Sequence, residues 1–164
     1  MMSQFEKRAW SDGVLWSVMF LIVLMRFTAG VEIWGQSFGW EIVEQSSGSL
    51  FSTYIVIGMV AAIAQLVIYF SFRAFNVDLY VKDERDQLIE KRANSMAYWF
   101  MLAVINLLIM HVLLNDIYKA IDRDILNLTT PTGFVFALLA MLVLQEVVRN
   151  LAAVAQYRLA AWMP

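Results

Sequence analysis

Residues 93–115 read ANSMAYWFMLAVINLLIMHVLLN, a run with no Asp, Glu, Lys or Arg. A helix needs roughly 20 apolar residues to cross a hydrocarbon core of ~30 Å, and this run is long enough. Two further uncharged runs, 45–72 and 125–145, have similar length, and 13–34 is apolar apart from Arg26 and Glu32. The whole chain is 61% hydrophobic and 16% charged, with a mean hydropathy of +0.65. Those values lie outside the range of soluble globular domains. The runs lack the strict alternation of barrel strands, and a closed barrel needs at least about eight of them. The reading is therefore an all-α integral membrane protein with four transmembrane helices at about 13–34, 50–72, 95–115 and 131–153.

The 93–115 run overlaps a heptad, IEKRANS at 89–95, that the chain nearly repeats as FEKRAWS at 5–11. A shift of 84 positions also lays Leu24 on Leu108 and Glu32-Ile33-Trp34 on Asp116-Ile117-Tyr118, and a shift of 85 lays Phe72-Arg73 on Tyr157-Arg158. The expected architecture is two tandem parallel helical hairpins in one bundle. Residues 1–74 form the first, 75–95 a charged helical connection, and 96–164 the second. Parallel repeats of this kind are related by an axis along the membrane normal. The repeat also bears on Thr28-Ala29-Gly30, which resembles a signal-peptide cleavage site. An internal segment cannot be a signal, so its N-terminal counterpart is read as a retained helix.

Lys7, Arg8, Arg73, Lys82, Arg85, Lys91, Arg92, Arg149 and Arg158 all fall on one side of this arrangement, against Lys119 and Arg123 on the other. The positive-inside bias places both termini and the central connection on the cytoplasmic side. The connection, with Asp83, Glu84, Arg85 and Asp86 at its centre, contains neither Pro nor Gly between 73 and 95. Helix three is accordingly expected to begin before the membrane, with these four residues offering a docking surface for a partner. On the far side, Ile117, Ile121, Ile125 and Leu128 suggest a short amphipathic helix, and Thr130-Pro131 an N-cap and first position of helix four. Loop 35–49, rich in Gly and Ser, is expected to be irregular with one helical turn around Trp40–Glu44.

Polar residues within the apolar runs are the candidates for chemistry. Arg26 is expected near the bilayer midplane, where an unpaired Arg costs ~2.5–3.5 kcal/mol on insertion scales. Glu146 or Gln145 of helix four is its expected partner, with Glu32 a poorer one. Glu146 and Arg149, at i,i+3, can also satisfy each other. His111 is the single histidine, read as hydrogen-bonded packing with proton handling as the rival. Gln65 and Asn106 are read as interhelical hydrogen-bonding groups, and Gly58-x-x-x-Ala62 as a close-packing face.

DERDQLIEKRANSMAYW at 83–99, followed by LQEVVRNLAAVAQYR at 144–158, resembles a family of small bacterial and archaeal membrane proteins known as a domain of unknown function. The resemblance covers residues 78–158, with the DERD run as its most specific element. It implies four transmembrane helices and an association with small helix-turn-helix regulators, and it brings no catalytic residues.

With no Cys there is no thiol or disulfide-relay chemistry, and one His cannot supply a bis-histidine haem or a His-rich zinc site. No phosphate loop, GxSxG elbow or HExxH occurs. No cofactor, metal or catalytic residue is expected. Two functional classes follow. The first is a non-enzymatic sensor or scaffold that binds lipid, small molecule or protein, assembles with itself or a cytoplasmic regulator, and makes no direct contact with nucleic acid. The second is a small oligomeric transporter or channel using Arg26, Glu146, Arg149 and His111.

Overall fold

The fold, a computed structural model, describes residues 3–33, 36–74, 83–120 and 128–162, with backbone alone for 30–33, 36–40, 115–120 and 160–162. Four α-helices dominate it: α1 (Gln4–Phe27), α2 (Ser47–Ala74), α3 (Glu84–Ala120) and α4 (Pro131–Trp162). Each contains a segment long and apolar enough to cross a membrane. Between α1 and α2 lie two antiparallel strands, β1 (Thr28–Ile33) and β2 (Gln36–Ile42).

Helix starts follow capping chemistry. The Ser3 hydroxyl accepts the Glu6 amide at 3.0 Å, so α1 begins well before the apolar run. Asp83 Oδ1 accepts the Asp86 amide at 2.6 Å and opens α3, while Thr130 Oγ1 accepts the Gly133 amide at 3.0 Å ahead of Pro131. As expected, α3 starts ahead of its apolar stretch, and Thr130-Pro131 opens α4.

The first helix departs from expectation at its other end. It stops at Phe27, and Thr28–Ile33 continues as strand, paired with a segment expected to be irregular and partly helical. Hydropathy measures apolarity and not conformation; here β-branched Thr28, Val31 and Ile33 flank Gly30, which suits an extended ribbon. Register shifts between Ala29 and Val31, where Gly30 of β1 stands opposite two residues of β2, Gly39 and Trp40, so the bulge is on β2. Glu32 is therefore a strand residue, whereas its repeat counterpart Asp116 still belongs to α3, so positions matched by the repeat differ in structure. Trp34, most of the expected amphipathic helix (121–127) and residues 75–82 lie outside the described residues.

The helices are ordered α2, α1, α4, α3, with the α1–α4 seam the most extensive, α3–α4 next and α1–α2 slight. A two-fold relating the hairpins would pair α2 with α3 as closely as α1 with α4, and among the described residues no comparable α2–α3 interface is present. In an apolar surrounding, helices associate through close packing and hydrogen bonds, because lipid is as apolar as leucine. The seam supplies close packing. Ala9, Gly13 and Ser17 recur every fourth residue, and a Cβ built on Gly13 would meet Asn150 Cβ at 3.5 Å. Gly58 meets nothing within 4 Å, so the expected close-packing face of α2 is open.

Two layers fill the interior. Toward the β-hairpin, Met19, Val23, Phe27, Leu50, Ile57, Phe136, Leu139 and Val143 form the apolar core, with the Phe27 and Phe136 rings 5.8 Å apart. Toward the other end, α3 buries a narrow edge of Ile89, Ala93 and Ala97, spaced four apart.

Candidate functional site

At the end where α1 and α3 begin and α4 finishes, these three helices enclose a polar cleft of about 330 Å³. Helix α1 contributes Arg8 and Asp12, α3 contributes Asp86 and Glu90, and α4 contributes Arg149 and Tyr157. Asp12 and Asn150 are buried, at 6% and 5% exposure, where Gly13 lets α1 and α4 come together.

Each charge is held by a neighbour. The Arg8 Nε stands 3.6 Å from Asp12 Oδ2, one turn along α1. Gln65 Nε2 donates to the other Asp12 oxygen at 3.4 Å and so ties α2 to α1. Arg149 Nη2 meets Glu146 Oε2 at 2.7 Å. At the mouth, the Tyr157 hydroxyl donates to Asp86 Oδ1 at 2.7 Å, and Arg85 Nη2 reaches the Tyr157 carbonyl at 3.5 Å. Just outside, Arg158 Nε contacts the buried Glu6 carboxylate at 2.8 Å.

This geometry redistributes the sequence candidates. Arg26 sits in the last turn of α1 and not midway along it, because the helix starts early and ends early. Its Nε donates to Thr53 Oγ1 at 3.3 Å, and its carbonyl accepts Gln45 Nε2 at 3.0 Å. The expected Arg26–Glu146 pair does not form. Phe27 is level with Phe136, and Glu146 lies ten residues further along α4, about 15 Å along the axis. Gln145 is half-buried beside Glu146. His111 lines a separate, apolar cavity of about 240 Å³ with Leu107, Leu108 and Met141. Gln65 does bridge two helices, but Asn106 turns back on its own, donating to the Leu102 carbonyl at 2.7 Å.

Among the docking candidates, Glu84 and Arg85 are exposed. Asp83 is occupied as a cap and Asp86 as the acceptor of Tyr157. Sequence reasoning missed Glu6, Arg8, Asp12, Asn150 and Tyr157. One signal was available, because Arg8 and Asp12 lie at i,i+4 on α1, and Asp12 directly precedes its apolar run.

No group of three or more potential metal ligands forms among the described residues. A scan against models of known families gives no match, and the chain is not significantly similar to a curated protein or a solved structure. The cleft must be read from its own chemistry.

Proposed function

We propose that this chain is a non-enzymatic, multi-pass membrane protein that binds a ligand in the cleft and presents the outcome on the charged start of α3. All four helices cross the bilayer in this reading, with the termini and α3 start in the cytoplasm of a bacterial inner membrane. The exposed apolar sides of α2 and α3 then face lipid. The parallel hairpins and the domain-of-unknown-function resemblance remain readings of the sequence, and a second copy or a cytoplasmic regulator is the partner that fits the exposed charges.

The observation that carries the proposal is the double role of Asp86. Its carboxylate is a wall of the cleft and belongs to the charged segment Asp83–Asp86. A ligand touching Asp86 or Tyr157 changes the interaction that holds the α3 start against α4, so the two sites are energetically linked.

Transport is less well supported. Its candidate residues are dispersed: Arg26 at the hairpin end, Glu146 and Arg149 near the cleft, and His111 on a separate cavity. The apolar core from Met19 to Phe27 stands between the first two groups.

Hydrogen exchange of the full chain in detergent, with and without added lipid extract, tests the proposal. Occupancy of the cleft should alter protection of amides 84–92, and Asp12→Asn with Arg149→Gln should remove the response. An unchanged exchange pattern in the wild type, together with charge-dependent flux in reconstituted vesicles, would replace this reading by the transporter.

A further inference from the structure

Helix α3 is the edge of the bundle. Its extensive contact is with α4, where Ile89, Ala93 and Ala97 are buried, and its opposite face is largely exposed. On that opposite face Ser95, Trp99, Leu102, Asn106, Ile109 and Leu113 follow one another at spacings of four, three, four, three and four. This alternation is the heptad stripe by which two helices pair with a left-handed crossing. Trp99, Ile109 and Leu113 are 66%, 52% and 69% exposed, so among the described residues the stripe is left uncovered. Asn106 marks it as more than a lipid contact. It is exposed, two residues from the middle of the uncharged run 93–115, and its Nδ2 donates back to the Leu102 carbonyl at 2.7 Å. A carboxamide has two N–H donors and an oxygen with two lone pairs, so a donor and the Oδ1 remain. Hydrocarbon supplies a partner for neither.

We propose that along this stripe α3 exchanges lipid for α3 of a second copy, in a parallel two-fold dimer whose Asn106 carboxamides bond each other. The inference rests on the membrane placement proposed above, which gives every copy one orientation and so sets both Asn106 residues at one depth. A carboxamide carries donor and acceptor together and is its own complement across a two-fold axis. A single Asn in a heptad stripe also fixes register and the number of helices that pair. Gln65 supplies the contrast. It is likewise polar within a spanning helix, yet it finds Asp12 inside the chain, whereas α4 separates Asn106 from α1 and α2. The pairing stops at the membrane boundary. One turn before Ser95 the same face carries Lys91 and Arg92, both exposed, and their repulsion between copies parts the two helices in water. Each α3 start is thereby left on its own bundle, held by Tyr157.

Two measurements on the full chain test this. The absence of native cysteine allows oxidative crosslinking of single variants in membranes. Trp99→Cys, Leu102→Cys, Ile109→Cys and Leu113→Cys should give covalent dimers, whereas Met96→Cys and Leu107→Cys, equally exposed but off the stripe, should not. In mixed micelles, energy transfer between labelled copies should show Asn106→Leu raising the dimer dissociation constant about three- to thirtyfold, the worth of one interhelical hydrogen bond. Asn106 bonds back to its own helix, so the same variant should leave the thermal melt unchanged and its loss of dimer is not a loss of fold. Crosslinking without this periodicity, or an Asn106→Leu dimer as tight as the wild type, overturns the proposal. Labelling of Ile109→Cys by an impermeant maleimide in sealed vesicles would overturn the membrane placement beneath it. A shielded Ile109→Cys that forms no crosslink overturns the dimer alone.

Discussion

The Tyr157 hydroxyl donates to Asp86 Oδ1 at 2.7 Å, joining the last turns of α4 to the first turn of α3. With the Arg85 contact to the Tyr157 carbonyl, this bond to a charged acceptor links the charged segment to the bundle. Tyr157→Phe should cost about 1–3 kcal/mol and free the α3 start, because it leaves the half-buried Asp86 without its donor. Thermal melts in detergent would check the loss. In a double-mutant cycle with Asp86→Ala, the two losses should not add.

Gly13 and Gly58 should respond oppositely to enlargement. Gly13→Ala adds a Cβ at an ordinary contact distance from Asn150, so it should be neutral or stabilise by up to about 1 kcal/mol through helix propensity. Gly13→Leu must separate α1 from α4 and should destabilise by about 1–3 kcal/mol. Gly58→Leu, with open space around it, should leave the melting temperature nearly unchanged.

Arg26 and Glu146 should behave as independent sites. Their separate partners predict that Arg26→Ala and Glu146→Ala losses add within about 0.3–0.5 kcal/mol. A double mutant more stable than the sum of its parts would show that they meet.

Orientation is open to labelling because the chain has no native cysteine. Ser47 and Glu84 are exposed at opposite ends of the bundle. A cysteine at Ser47 should react with an impermeant reagent from outside the cell, and one at Glu84 only from inside. Gln45 is a poor labelling site, since it joins α4, α1 and α2 through Thr132, Arg26 and Ser49.

Uncharged run length made the four helices legible, because a spanning segment has to be both long and apolar. Caps were legible only in part: Thr130-Pro131 declared itself, while Ser3 lay outside the runs and Asp83 was read as a docking residue and not as a cap. The end of α1 was not legible, because TAGVEI is as apolar as a helix end and differs from one chiefly in its β-branched residues and Gly30. The cleft was hidden for a related reason. Searching for polar residues in mid-run selects Arg26, whereas Asp12 and Arg8 stand at the edge of a run and look like ordinary flanking charges. Which faces meet is a property of three helices together, and no one-dimensional pattern brought Gly13 to Asn150 or Asp86 to Tyr157.

The α1–α4 seam has a consequence for biogenesis. Gly13 meets Asn150 and Phe27 meets Phe136, so the most extensive interface joins the segments most distant in the chain. During synthesis α1 is made long before the surface it fits, and in the proposed membrane placement its Asp12 has Arg8 and then Gln65 for company before α4 emerges. The loop to be closed is long, although its entropic cost rises only slowly with length. Emergence of α4 is thus the step at which the assembly commits. A ribosome stalled before residue 131 would hold an exposed, half-satisfied helix, a substrate for membrane quality control.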